Sequence, residues 1–178
     1  LFVGRLVPEK GVHFYVEAVK ALAHKHSEWT FGLIGSFKLG DNKNRNFYSD
    51  TIIKKIRSVG PQAQFYGFQD QKFVEEKMKS ASIVIVPSVW EEPFGLVAAE
   101  AMSNGACIIA SKVGGIPEII RDNGILIDNI NQRKLSLKIE SLIEDKKMRQ
   151  NYQRRAWKNF ELSSNISSNK LDSFRKTI

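Results

Sequence analysis

Short apolar runs alternate along this chain with longer stretches in which apolar residues recur every three or four positions. The runs Leu1 to Val3, Thr30 to Ile34, Gln64 to Tyr66, Ile83 to Val86, Cys107 to Ala110 and Ile125 to Leu126 read as strands. Between them, Val12, Val16, Val19 and Leu22 keep a helical spacing, as do Ile52, Ile53 and Ile56, and then Phe73, Val74 and Met78. These predict the core faces of covering helices. Leu96, Ala99, Glu100 and Ser103 fall on one side of a further helix that should start near Gly95 and stop at Gly105. Asn131 to Ile143 and Lys146 to Phe160 read as two more helices, ahead of a polar stretch at Ser163 to Asn169 and a final short helix.

No repeat or low-complexity linker interrupts the alternation, so residues 1–178 are expected to form one α/β domain with a parallel sheet covered by helices. Such sheets bind ligands at the carboxyl ends of their strands, where loops meet helix N-termini. Three loops just after predicted strands hold the residues of interest. The first, Gly4 to Gly11, places Arg5 and Lys10 around a turn that precedes a helix. A helix start favours an anion, Arg5 can fork onto two oxygens, and Lys10 adds a mobile point charge, a set suited to a diphosphate. An exposed loop with ordinary surface charges is the competing account.

The second loop, after Ile83 to Val86, holds Glu92 and leads through Gly95 into a helix that carries Glu100 eight residues later. Carboxylates accept hydrogen bonds from hydroxyl pairs, so these two could grip two polyols, such as a ribose and a hexose. Gly95 lets backbone approach a ligand, and the amides of Phe94, Gly95 and Leu96 are free to donate. Glu100 interrupts an apolar, small-residue helix, where a charge needs a partner; a structural salt bridge is the alternative. Glu91 reads as a solvated neighbour. The third loop pairs Gly114 with Gly115 before a short helix with Pro117 at its start, which makes either an anion-friendly backbone nest or a tight turn.

Composition adds limits. At 178 residues, with 42% hydrophobic and 26% charged, the chain has the make-up of one ordinary globular domain. Its single cysteine, Cys107, lies in an apolar run, which excludes a disulfide framework and favours a core role in a reducing, intracellular setting. No apolar stretch approaches the roughly 20 residues of a membrane span. The start lacks a signal sequence, and its opening inside an apolar run without Met is what a fragment cut within a first strand would show. The net charge of +8 fits a phosphorylated small molecule, an anionic membrane face or nucleic acid. Much of the excess sits on Lys146, Lys147, Arg149, Arg154, Arg155 and Lys158, where it reads as a solvated helical face, with attraction to an anionic leaflet or acidic acceptor as the second account.

Taken together, Gly4-Arg5-Leu6 with Lys10-Gly11, Pro87-Ser88 with Glu92, Phe94-Gly95 and Glu100-Ala101-Met102, and Gly114-Gly115 with Glu118 resemble, in order, the motifs of glycosyltransferase family 4, from Leu1 to about Phe160. The resemblance implies a Rossmann-like parallel sheet with helices on both faces, the C-terminal half of a two-domain GT-B enzyme whose N-terminal acceptor domain is absent here. It implies that Arg5 and Lys10 hold the diphosphate of a nucleotide-sugar, with UDP the expected nucleotide. Glu100 would hold the ribose, and Glu92 the transferred sugar beside the amides of Phe94, Gly95 and Leu96. Gly67 and Phe68 match the family segment that contacts the nucleobase, with a plain core turn as the alternative.

Family members keep the anomeric configuration and need no bound metal, so no cofactor or metal is expected. The expected acceptor is a glycan or lipid-linked glycan such as lipopolysaccharide, reached through the absent domain at the inner face of a membrane. On its own the fragment should bind donor weakly and transfer little. A phosphorylase or hydrolase on the same fold would use similar donor residues. After Ile34 the chain departs from the family, with Gly35-Ser36-Phe37-Lys38 bulkier than the expected second glycine. A receiver module would need an acidic cluster that Thr30 to Gly35 lacks, no Walker A loop is present, and no nucleic-acid reading motif is seen.

Overall fold

The computed structural model describes residues 1–38 and 46–160. The polar stretch and final helix expected beyond Ser163 lie outside the described residues. Six strands form one sheet, β1 (Phe2–Val3), β2 (Phe31–Ile34), β3 (Ala63–Gly67), β4 (Ile83–Val86), β5 (Cys107–Ser111) and β6 (Ile125–Ile127). The helices are α1 (Val12–Leu22), α2 (Phe47–Arg57), α3 (Gln71–Ser80), α4 (Leu96–Ser103), α5 (Ile116–Ile120), α6 (Gln132–Glu144) and α7 (Lys146–Lys158). Each strand and helix expected within the described residues is present, with ends shifted by a residue or two except at α2, whose upstream turn lacks the apolar spacing that marks the rest.

All pairings are parallel and the strand order is β3-β2-β1-β4-β5-β6. The chain therefore winds outward in one direction from β1, returns, and winds outward in the other from β4. Neighbouring loops diverge at that reversal and leave a crevice at the carboxyl ends of β1 and β4.

Period-two alternation assigns the two faces. Ile83, Ile85, Cys107 and Ile109 pack with α1, α2 and α6, whereas Val84, Val86, Ile108 and Ala110 pack with α4, α5 and Ala156 of α7. Helix α3 covers Ile34 through Val74 and Met78. Helices thus lie on both faces. Cys107 is fully buried, and burial pushes its thiol up to about 12, which fits the core role expected of it. Within α7, Arg149 departs from the solvated reading. It is half-buried, donates to the carbonyls of Leu142 and Ile143, and lies 4.9 Å from the Trp29 ring centre. It thereby satisfies the orphan carbonyls at the end of α6.

One close approach fixes the crevice. Pro8–Lys10 forms a single 3-10 turn, closed by Gly11 at φ 63° in the left-handed region. A Cβ at Gly11 would lie 1.8 Å from the carbonyl oxygen of Pro87, so only glycine lets the loop after β1 touch the loop after β4. The contact is tied by Val89 N–H donating to Glu9 O at 2.9 Å. We expect Gly11→Ala to lower unfolding free energy by about 2 kcal/mol or more, read from urea denaturation; an unchanged midpoint would show that the loops can separate freely.

Candidate functional site

The crevice at the reversal encloses about 390 Å³ and is lined by Phe2 to Arg5 and Lys10 from the first loop and by Val86, Pro87, Ser88 and Glu92 to Val97 from the second. Arg5, Lys10, Glu92, Phe94, Gly95 and Leu96 therefore meet at one cavity. Phe2, Val3 and Val86 supply its apolar walls.

Glu92 is the centre of the polar network. Lys10 Nζ donates to Glu92 Oε1 in a partly shielded ion pair, and Ser88 Oγ donates to the same oxygen at 2.7 Å. Ser88 is buried, so its hydroxyl needs that partner. The backbone of Glu92 is gripped from the other side, because Gly115 N–H donates to its carbonyl at 2.8 Å. Burial pushes the Glu92 carboxyl up, but hydrogen bonds from Lys10 and Ser88, with the charges of Lys10 and Arg5, outweigh it and hold the group below its ordinary value. Arg5 is exposed at the cavity rim and no ion pair ties it down among the described residues.

Helix α4 begins at the cavity. Gly95 adopts φ 77° as its N-cap, and no hydrogen bond among the described residues uses the amides of Phe94, Gly95 or Leu96. Three donors and the positive end of the helix dipole are thus presented to the crevice. Ala98, Ala101 and Met102 point into the core, leaving Leu96, Val97 and Glu100 along another side, three and four residues apart. Glu100 is half-buried, lies one turn beyond the cavity lining, and makes no ion pair among the described residues. The structural salt bridge weighed above is not seen; partial hydration, not a cation, makes the charge tolerable.

The third loop, expected to be either an anion-friendly nest or a tight turn, closes on the protein itself. Gly114, at φ 51°, packs so that a Cβ would lie 2.2 Å from the carbonyl oxygen of Glu92. Its amide donates to the Glu91 carboxylate at 2.6 Å. The nest holds an anion, and that anion is the protein's own. Glu91 is correspondingly not a free solvated neighbour, since it staples the loop after β5 to the loop after β4. Gly114 and Gly115 stand behind Glu92 and outside the cavity lining.

Gly67 and Phe68 lie at the carboxyl end of β3, on the edge of the sheet that bears the cavity but two strands from β1, and they do not line it. Gly67 O accepts from Gly35 N–H at 2.8 Å. The bulkier segment after Ile34 is held inward, with Ser36 buried and its carbonyl accepting from Leu6 N–H at 2.9 Å. Sequence reasoning gives Ser88 no role beyond its place in the motif and reads Glu91 as solvated. The sequence signal for Ser88 was its place directly after a buried strand, four residues before the carboxylate it holds; for Glu91 nothing in the sequence marks a partner 23 positions away.

A model of the family described as "Glycosyl transferases group 1" matches residues 1–159. The chain is 33% identical over 147 residues to an uncharacterized glycosyltransferase of Methanocaldococcus jannaschii, covering 82% of this chain and 35% of that protein. It is 31% identical over 122 residues to the lipopolysaccharide 1,2-N-acetylglucosaminetransferase of Salmonella typhimurium, covering 68% and 32%. The chain thus spans a third or so of the length of these relatives. Its fold is similar to that of Anabaena HepE in complex with UDP, at TM-score 0.75 and 26% identity over 98% of this chain and 48% of the other. It is also similar to the C-terminal domain of the Francisella tularensis group 1 protein LpcC, at TM-score 0.73 and 26% identity over 88% and 81%.

Because its folded-state carboxyl is depressed, Glu92 contributes stability that is complete above its unfolded value of 4.5 and is lost as pH falls through the lower folded value. Acidification below that value should therefore destabilise the native chain more than a Glu92→Gln variant. Denaturant midpoints measured across the acid range check this, and parallel curves for the two proteins would contradict it.

Proposed function

The chain belongs to the group 1 glycosyl transferases, and on that premise we propose that it is the donor-binding unit of a retaining, metal-independent enzyme that uses a UDP-linked hexose or N-acetylhexosamine. The observation that carries this reading is the convergence of Arg5, Lys10, Glu92 and three free amides on one cavity at the reversal of strand order. The printed descriptions of similar structures support it, since Anabaena HepE was solved with UDP and with UDP-glucose.

In this reading the diphosphate lies over the start of α4. Arg5 forks onto its oxygens and Lys10 turns from Glu92 to the incoming anion. Breaking the bond between the sugar and the diphosphate places negative charge on the leaving group, which in this reading both cations and the amides of Phe94, Gly95 and Leu96 face. Stabilisation at that place is the main catalytic contribution of this half. Glu92, released from Lys10, accepts from hydroxyls of the transferred sugar, and Glu100, one turn along the helix, accepts from the ribose. Gly67 and Phe68 contact the base by backbone. The acceptor, a glycan or lipid-linked glycan of an envelope polymer, is held by a further domain beyond this chain; alone, the chain binds donor and transfers little.

Calorimetry with UDP and UDP-glucose tests the reading. The native chain should bind both, and Arg5→Ala should weaken binding of each by roughly 10-fold or more, as expected for a lost charge-assisted contact worth about 1.5 to 3 kcal/mol. Glu100→Gln should also weaken both. Absence of binding, or binding indifferent to both substitutions, rejects the proposal. Glu92→Gln separates the roles. Freed from a competing carboxylate, Lys10 should hold UDP as tightly as before or more tightly, while UDP-glucose loses its advantage over UDP. An equal loss for both ligands would place Glu92 on the nucleotide instead.

A further inference from the structure

Away from the cavity, α7 carries six cations, Lys146, Lys147, Arg149, Arg154, Arg155 and Lys158, and no acidic side chain between Lys146 and Lys158. Two of them have local structural partners. Arg149 donates to the end of α6, and Arg155 lies over the Tyr152 ring at 5.8 Å. The other four are exposed and make no ion pair among the described residues. Lys147, Arg154 and Lys158 are spaced seven and four residues apart, so they form one stripe along the helix, flanked by Lys146 and Trp157. The opposite side, Met148, Tyr152 and Ala156, packs on the domain.

We propose that this stripe is a docking surface for an anionic lipid bilayer. Three features argue that it does more than keep the helix solvated. Lys146 and Lys147 occupy the first turn, where the helix dipole disfavours cations, and the adjacent acid, the N-cap Asp145, is engaged on the Met148 N–H. Like charges are gathered within the helix without intervening acids, whereas Lys55 of α2 and Lys79 of α3 are paired with Glu17 and Glu75. Trp157 is 67% exposed at the end of the stripe, one edge of its ring against Gly105. An indole beside lysine and arginine suits the headgroup layer, where its apolar body and polar N–H both find partners. A surface for single-stranded nucleic acid would use further aromatics for base stacking, and the stripe has none. Gly105 follows the end of α4 opposite to the cavity, so a bilayer at this end leaves the crevice open to a soluble ligand.

Co-sedimentation of the whole chain with vesicles tests the proposal independently of the donor reading. Vesicles of phosphatidylcholine mixed with phosphatidylglycerol should carry the protein down at low salt, and phosphatidylcholine alone should not. Each cation near an anionic bilayer adds roughly fivefold to partitioning, so Lys147→Gln with Arg154→Gln should reduce it by roughly 25-fold. Lys54→Gln with Lys72→Gln removes the same net charge from α2 and α3 and should leave partitioning nearly unchanged. An equal loss in that pair overturns the proposal, because net charge alone would then drive binding. No sedimentation with the anionic vesicles overturns it as well, as does tighter binding to duplex DNA than to those vesicles. If the α7 variant fails to fold, salt titration of the native chain decides: partitioning should fall steeply as ionic strength rises, and salt-insensitive binding overturns the proposal.

Discussion

The site depends on how near two backbone segments can come to each other. The loops after β1 and β4 leave adjacent strands and would splay apart, since the chain winds away from each in opposite directions. Gly11 removes the one side chain that would hold them apart, and the Val89 to Glu9 hydrogen bond closes the gap. Only then does a lysine from one loop reach a glutamate from the other. The same fold that opens a crevice at the reversal therefore also bridges its floor, and the cavity is bounded without a further element.

The bridge has an electrostatic side. Lys10 and Glu92 neutralise each other in a setting only partly open to water, where an uncompensated charge would be costly. Ser88 adds a neutral donor to the carboxylate, so Glu92 stays satisfied even while Lys10 is drawn elsewhere. A lone ion pair that loses one partner leaves a buried charge behind; this one leaves a carboxylate that still has a hydroxyl and access to solvent. The arrangement keeps a cation and an acid available at low energetic cost to either.

Most of the fold was legible in the sequence because short unbroken apolar runs and apolar residues recurring every three or four positions differ plainly in a chain whose central strands are buried on both sides. Ile83 to Val86 and Cys107 to Ala110 are uninterrupted apolar runs, as strands covered on two faces must be. Helix α2 was the least defined, since its first turn depends on an Asn46 capping box with Ser49 and not on apolar spacing. At the site, residues next to strand ends were found because topology alone places them together. What stayed hidden were pairings between loops distant in sequence: Lys10 on Glu92, Glu91 on Gly114, and Ser88 on the acid it follows. Composition can suggest that Arg149 is surface charge; only the packing of α7 against α6 shows it closing a helix end.

The staple made by Glu91 has its own consequence. The backbone concavity at Gly114 would be the rigid, preorganised receptor for a phosphate, and the chain has filled it with an internal carboxylate. Under the proposed function, an incoming polyanion is thereby left to the helix start at Gly95 and to the long, adjustable arms of Arg5 and Lys10. Under that proposal the two side-chain cations adjust to ligands of differing length while the helix start stays fixed.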